Sequence, residues 1–325
     1  MQKNLYALAA LASFALMSSP SIAQDFPKRQ PISIVVPWAP GGNVDITARA
    51  IAPAMAEILG QSVVVENRPG AGGFIGSSRV AKSNPDGYTL LLGSSGSISI
   101  GPALATNPPY NPTKDLIAVG PIHSVPLVLS ASGKSTIKNY ADFTAKSKAN
   151  PGALNVASAG VGSTQHLAIE LIALKSGTKL NHVPYKGSGP AITDLIGGQV
   201  ETMIDQMTAS MPHIKSGAIT PLAVTTQVRS AKLPNVPTLQ ELGVKDINMT
   251  TYTGVFAPAG TPPSVVKQLN AALKKAMQRP EITKKFESLG VEILNMDQAE
   301  FQTYVNKDFA NSQSVGKAAN IQIKN

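Results

Sequence analysis

The chain has 325 residues, of which 43% are hydrophobic and 14% charged, and it contains no cysteine. This composition is typical of a globular protein with sizeable cores, and it excludes a disordered chain and a disulfide scaffold. The formal net charge is +9. Because Lys and Arg are spread along the chain without interleaved aromatic residues, the charge indicates a solvated basic surface and no nucleic-acid partner.

Residues 1–23 have the pattern of a secretory signal peptide. Lys3 precedes a nearly continuous apolar run at 5–17, and Ser21 and Ala23 are small residues where signal peptidase requires them. The run is too short to span a bilayer, which takes about 20 apolar residues. No cysteine follows it to carry a lipid. We therefore expect a mature periplasmic protein that is neither embedded in the membrane nor a lipoprotein.

Short β-branched runs then alternate with helical patterns along the chain. Strands are predicted at 32–36, 62–66, 88–92, 127–129, 155–157, 181–184, 202–204 and 222–224. Helices are predicted at 44–59, 75–81, 140–149, 164–175, 190–196, 211–216, 262–277, 281–289 and 298–318. This alternation predicts the α/β class, with mixed, mostly parallel sheets and helices on both faces.

The order of these elements predicts two lobes. The segment 125–226 contains its own complete set of strands and helices, so we predict that it forms lobe 2. Residues 24–124 and 227–325 then form a discontinuous lobe 1. Two strand-like crossovers, near 119–126 and 218–226, are expected to join the lobes as a hinge.

Two loops share one design, in which a strand leads through glycines into a helix. The first loop contains Trp38, Ala39, Gly41 and Gly42, and the second contains Ser158, Gly162, Ser163 and Thr164. A helix N-terminus offers unpaired N–H groups and the positive end of the helix dipole, and glycine allows close approach of a ligand. Ligands of open α/β sheets bind beyond the carboxyl ends of the strands, where both loops lie. We predict that the loops hold a small anion from opposite sides; tight turns without a ligand are the alternative.

Three side chains near these loops allow two interpretations each. Trp38, the only tryptophan, either lines the cleft or packs in a core, and its place in the loop favours the cleft. Asp45 lies in the first helical turn, where capping explains a carboxylate and ligand contact is the alternative. His166 lies three residues after Ser163 and could act as a base, but no orienting acid is apparent, which favours a structural or ligand-edge histidine.

Further stretches of the chain resemble one family in the same order. Residues 37–42 with Asp45, then 65–73, 85–90, 182–187 and 234–243, are similar to the tripartite tricarboxylate transporter receptors, the Bug proteins. The resemblance implies a type II periplasmic-binding-protein fold that closes on a small organic carboxylate and presents it to a membrane permease. It also implies that the two glycine loops hold the carboxylate.

The resemblance extends to two less secure positions. It implies that Asp205 faces the cleft from the end of a strand. The run Gly93-Ser-Ser-Gly-Ser97 replaces the usual Thr-His-Ala-Ile-Asn of related receptors. The hydroxyls of Ser94 and Ser95 either reach the pocket or satisfy local backbone groups.

Other classes of function fit the sequence less well. No nucleophile elbow or Walker motif is present, and the glycines at 70–76 have one residue too many for a dinucleotide fingerprint. The four histidines are too scattered for a metal cage, so we predict no cofactor, no metal and no enzyme, with a periplasmic hydrolase as the weaker alternative. A ligand sensor that feeds a two-component kinase fits equally well. A monomer is the default expectation.

Overall fold

A computed structural model describes residues 26–323, so the predicted signal peptide lies outside the described residues. The elements are, in chain order, β1 Ile32–Val36, α1 Asn43–Leu59, β2 Val63–Asn67, α2 Phe74–Ala81, β3 Thr89–Ser94, α3 Gly101–Leu104, α4 Pro112–Asp115, β4 Leu116–Ser132, α5 Tyr140–Ala149, β5 Asn155–Ser158, α6 Thr164–Ser176, β6 Asn181–Pro184, α7 Ser188–Gly197, β7 Thr202–Gln206, α8 Met207–Lys215, β8 Ile219–Val224, β9 Thr250–Pro258, α9 Pro263–Met277, α10 Pro280–Ser288, β10 Glu292–Ile293 and α11 Gln298–Ala318. Across residues 26–323, no helix combines the length and the apolar character that a membrane span needs.

Local sequence signals explain where these helices begin and end. In α1, Val44, Ala48, Ile51 and Met55 recur at helical spacing and are buried, as a one-sided apolar stripe requires. The helix ends at Gly60, whose φ of 63° is left-handed and suits glycine. At the other end of the chain, α11 begins with the predicted capping box between Asp297 and Glu300.

The strands form one mixed sheet in the order β2-β1-β3-β9-β4-β7-β5-β6. Around β1 the pairing is parallel, with β2 and β3 as partners, and around β5 it is parallel with β6 and β7. The central strands β4 and β9 run antiparallel to each other and to their neighbours. The fold is therefore α/β, with a parallel group of strands on each side of an antiparallel centre.

Two separate hydrophobic cores define two lobes, and β4 passes from one to the other. Val119 and Ile122 of β4 belong to the core built on β1, β3 and α1. Leu127 and Leu129 of the same strand belong to the core built on β5, α5 and α6. Next to this crossing point, Pro126 pairs with Thr250 at the start of β9. Two antiparallel strands thus connect the lobes.

The segment between β8 and β9 lies differently from its predicted place in lobe 1. Leu239, Val244 and Ile247 pack in the core of lobe 2, and the Met249 N–H donates to the Thr225 carbonyl at 3.0 Å. Sequence periodicity carried no sign of this packing, because the segment forms turns rather than a helix or a strand. We therefore propose that lobe 2 extends to residue 249 and that the second crossover lies at 249–250.

Candidate functional site

A narrow cleft with a free volume of about 10 Å³ lies between the two lobes. Its lining from lobe 1 comprises Trp38, Gly42, Asn43, Val44, Ser94 and Gly96, and its lining from lobe 2 comprises Ala159, Thr164, Gln165, Ser188 and Gln206. The polar side-chain groups of these residues are amides, hydroxyls and the Trp38 indole N–H, and none of the residues carries a positive charge. A free volume of about 10 Å³ has room for about one water molecule, so the lobes are almost closed here and a small-molecule ligand requires them to part.

Three helices point their N-termini at this cleft. The N-cap residues are Gly42 for α1, Ser163 for α6 and Gly187 for α7, and the two glycines supply no side-chain cap. A Cβ placed on Gly42 would lie 3.4 Å from the Ser188 Cβ, so the starts of α1 and α7 abut across the cleft. Each N-terminus carries a partial charge of about +0.5. Three such charges around a lining without side-chain charge favour an anion.

The first glycine loop is shaped by Asp45 from outside the cleft. Its carboxylate accepts hydrogen bonds from the Gly41 N–H at 3.0 Å, the Asn67 amide at 2.9 Å and the Arg49 guanidinium at 3.0 Å. Burial raises the pKa of Asp45, but the hydrogen bonds from Arg49, Gly41 and Asn67 together lower it below its usual value. Asp45 does not line the cleft. The Ala39 N–H also points elsewhere and donates to the Lys186 carbonyl of lobe 2 at 3.0 Å.

The second glycine loop is held from behind by serine and histidine. The Ser163 hydroxyl caps α6 by accepting from the His166 N–H at 3.1 Å and donates to the Gly160 carbonyl at 2.7 Å. The Gly162 N–H donates to His166 Nδ1 at 3.2 Å. Because the Ser163 hydroxyl bonds backbone groups rather than the imidazole, the two residues do not form a nucleophile–base pair. Neither they nor Gly162 line the cleft.

A stacked pair of histidines supports this loop. The rings of His166 and His182 lie 4.2 Å apart, and His182 Nε2 is hydrogen-bonded to the buried Ser158 hydroxyl at 2.6 Å. Burial lowers the pKa of both histidines, and the charge of His166 helps to bring the pKa of His182 to about 4. The pair is therefore neutral near pH 7. Ser158 is behind the cleft and does not line it.

Of the four residues predicted from the second loop, Thr164 is the one that lines the cleft. Its side chain is buried at the start of α6, and within residues 26–323 its Oγ1 has no hydrogen-bond partner. Asn43, on the opposite wall, donates through Nδ2 to the Thr253 hydroxyl at 3.1 Å. The Asn43 Oδ1 likewise has no partner among the described atoms. Two residues of the cleft lining thus carry a buried polar atom that no described group bonds.

Asp205 lies one layer behind the cleft lining. Its Oδ1 accepts from the Ser188 hydroxyl at 2.5 Å and from the Gln165 amide at 3.1 Å. Burial raises the pKa of Asp205 to about 6, although these hydrogen bonds and others oppose the rise. Gln165 also donates to Gln206 Oε1 at 2.6 Å. Asp205 therefore orients two side chains that line the cleft, Ser188 and Gln165, and Gln165 in turn holds Gln206.

Ser94, the last residue of β3, and Ser95, which follows it, line different cavities. Ser94 lines the cleft, and its N–H donates to the Ser97 hydroxyl at 3.2 Å. The Ser95 hydroxyl accepts from the Tyr252 N–H at 3.0 Å and lines a separate cavity beside α11. Of the predicted site residues, the cleft lining therefore contains Trp38, Gly42, Ser94 and Thr164.

Several cleft residues were not predicted from the sequence; they are Asn43, Val44, Gly96, Ala159, Gln165, Ser188 and Gln206. Ser188 belongs to a third unit of the same strand–glycine–helix design, formed by β6, Gly187 and α7. Gly187-Ser-Gly189 before Pro190 was the available signal. It was missed because the helix was predicted to begin at Pro190, which left these residues in a loop.

The chain thus forms two lobes that antiparallel strands join and that meet around a cleft of helix N-termini. This is the architecture of periplasmic solute-binding proteins.

The chain belongs to the tripartite tricarboxylate transporter receptor family, whose sequence profile matches residues 47–321. It is 40% identical to protein BugT of Bordetella pertussis over 291 residues, which are 89% of each chain. Its structure is similar to that of MatC from Rhodopseudomonas palustris, solved with bound malate, at 32% identity and a TM-score of 0.85 over 89% of this chain and 99% of that one. A second R. palustris protein, solved with adipate, gives 36% identity and a TM-score of 0.86 over 92% and 99%.

Proposed function

We propose that this receptor captures a small organic carboxylate between its lobes in the periplasm and delivers it to a membrane permease of the tripartite tricarboxylate type. The convergence of three helix N-termini on a cleft without a cationic side chain carries the proposal. Backbone N–H groups at such termini bind carboxylates well. Malate in MatC and adipate in the second relative are ligands of this chemical type.

The free polar atoms of the cleft suggest what accompanies the carboxylate. The Thr164 hydroxyl can donate to an anionic oxygen, whereas Asn43 Oδ1 can only accept a hydrogen bond. A ligand with a hydroxyl beside its carboxylate satisfies both atoms, and an unsubstituted acid leaves the amide oxygen buried and unpaired. We therefore expect malate to bind more tightly than succinate, by about tenfold for one hydrogen bond.

A thermal-shift screen tests the ligand class. A ligand at a hundredfold excess over its Kd stabilises the folded state by about 2.7 kcal/mol, which raises the melting temperature by about 5–10 °C in a protein of this size. The screen compares dicarboxylates, hydroxy acids, aromatic acids and acidic amino acids with neutral sugars and amides. If a neutral solute raises the melting temperature and no acid does, the carboxylate proposal is wrong.

Crosslinking in native membranes tests delivery to a permease. The receptor saturated with its acid is crosslinked, and the captured protein is identified by mass spectrometry. A multi-span permease supports transport. A sensor kinase captured instead supports the sensing alternative and contradicts the proposed role in delivery.

A further inference from the structure

The two lobes meet backbone to backbone beside the cleft. Residues 39–42 of lobe 1 rest on the first turn of α7 in lobe 2. The Ala39 N–H donates to the Lys186 carbonyl at 3.0 Å. A Cβ on Gly41 would lie 3.4 Å from the Gly189 Cα. This contact brings the N-termini of α1 and α7 together and so forms one wall of the cleft.

Gly189 is the position where this contact leaves least room. A Cβ there would lie 2.0 Å from the Pro40 oxygen, 3.2 Å from the Pro40 carbonyl carbon and 3.5 Å from the Gly41 Cα. These three nearest atoms all belong to lobe 1. A side-chain carbon and a backbone oxygen cannot approach to 2.0 Å, so an alanine at this position is incompatible with the observed contact.

The closest contacts of Gly189 outside its own helix come from the opposite lobe. Gly189 lies within α7 and does not have a left-handed φ, so its φ value does not by itself require glycine. Gly187 and Gly72 also contact the other lobe closely, but their φ values of +153° and +62° demand glycine in any case. At Gly189 the lobe contact therefore excludes a side chain without help from a left-handed φ, although Pro190 also disfavours a side chain on the helical residue before it.

We infer that Gly189 is a positioning residue for ligand capture: without touching the ligand, it lets α7 close against residues 39–42. The link to capture rests on the proposed function, but the closure itself does not. An alanine at 189 leaves each lobe folded and holds the lobes apart. The start of α7 then cannot face the start of α1, and the anion loses one of its helix N-termini.

A disulfide trap measures this closure without any ligand. The chain has no cysteine, and the Cβ position of Gly42 lies 3.4 Å from the Ser188 Cβ, close to the spacing of about 3.5–4.5 Å in disulfides. Gly42 has a φ of −85°, which any residue adopts. The double variant Gly42→Cys, Ser188→Cys therefore oxidises within the chain when the lobes are in contact, and the rate is followed by thiol titration.

Two further substitutions in this double variant form a matched comparison. Gly189→Ala is expected to slow disulfide formation at least about tenfold, because the lobes must overcome an overpacked contact. Gly197→Ala, at the other end of α7, is the control, since a Cβ there meets only the Gln199 Cγ at 3.9 Å. The control is expected to oxidise at the unchanged rate. Equal rates in the two backgrounds would overturn the inference.

Binding and stability of the single variants complete the test. With malate as the probe, Gly189→Ala is expected to weaken binding at least about tenfold, and Gly197→Ala to leave it unchanged. Without ligand, both single variants are expected to remain folded at the assay temperature and to unfold in a cooperative transition; loss of this transition in Gly189→Ala would contradict the inference, because the lobes themselves would then not fold. If the trap slows as expected but the wild type binds no carboxylate, closure at Gly189 stands and the proposed function fails.

Discussion

Replacement of Thr164 by valine tests how much one hydroxyl contributes to ligand capture. The side chain lines the cleft and is 1% exposed, and no described group bonds its Oγ1. Valine keeps the branched shape and removes only the hydroxyl. Affinity and stability are therefore expected to change in opposite directions, which a general disturbance of the fold would not produce.

The expected changes in Kd and in melting temperature follow from the fact that no described group bonds this hydroxyl. A hydrogen bond to a charged group contributes about 1.5–3 kcal/mol, so Thr164→Val is expected to raise the Kd of the carboxylate by about 10- to 100-fold. In the empty receptor the buried, unpaired hydroxyl is unfavourable by about 1–3 kcal/mol. Its removal is expected to raise the melting temperature by about 2–4 °C, which corresponds to about 1 kcal/mol.

Calorimetric titration and thermal melts of two variants check these values. Thr251→Val is the control, because Thr251 is also buried with an Oγ1 that no described group bonds, but it lies in β9 and does not line the cleft. Both variants are expected to melt higher than the wild type, and only Thr164→Val to bind more weakly. A wild-type Kd in Thr164→Val would refute a direct bond from this hydroxyl. An equal loss of affinity in both variants would assign the effect to the fold.

Three further substitutions test the groups behind the cleft. Burial raises the pKa of Asp205 from 3.8 to about 6. The wild type therefore loses stability as the pH rises between these two values, so Asp205→Asn is expected to raise the melting temperature at about pH 7.5 and not at about pH 4. Burial and His166 lower the pKa of His182 from 6.5 to about 4, so the folded protein loses stability as the pH falls from 6.5. Between about pH 7 and pH 5 the melting temperature of His182→Gln is expected to drop less than that of the wild type, and an equal drop would contradict this. Asp45→Ala leaves the Gly41 N–H without its acceptor and is expected to lower the free energy of unfolding by about 1–3 kcal/mol in urea, where an unchanged midpoint would contradict its structural role.

The sequence contained enough local information to predict the elements that build the cleft. The strand and helix predicted at 32–36 and 44–59 are β1 and α1, and those at 155–157 and 164–175 are β5 and α6. Glycines, apolar spacing and capping residues act over a few positions and are visible in the sequence. The family and its fold were also predicted, because several motifs recur along the chain in the same order.

Contacts between distant parts of the chain could not be predicted in this way. Asn43 and Thr253 are hydrogen-bonded across 210 positions, and Leu239 joins the core of lobe 2 from a segment without regular structure. The glycine loops likewise gave no sign of which of their residues face inward. That choice depends on how α1, α6 and α7 meet. Ser158, for example, is held behind the cleft by His182, which is 24 positions away.

The starts of α1 and α7, which have no side-chain cap, have a consequence for how such receptors diversify. In the proposed mode of binding, main-chain amides hold the charged head of the ligand, and every amino acid except proline supplies the same amide. Most substitutions then leave binding of the carboxylate unchanged. Substitutions of Asn43, Gln165 and Gln206, whose side chains line the cleft, change instead how the rest of the acid is bound. One scaffold can in this way be retuned from a short hydroxy acid to a longer dicarboxylate by exchanging a few amide side chains, which makes the protein a practical starting point for designed acid sensors.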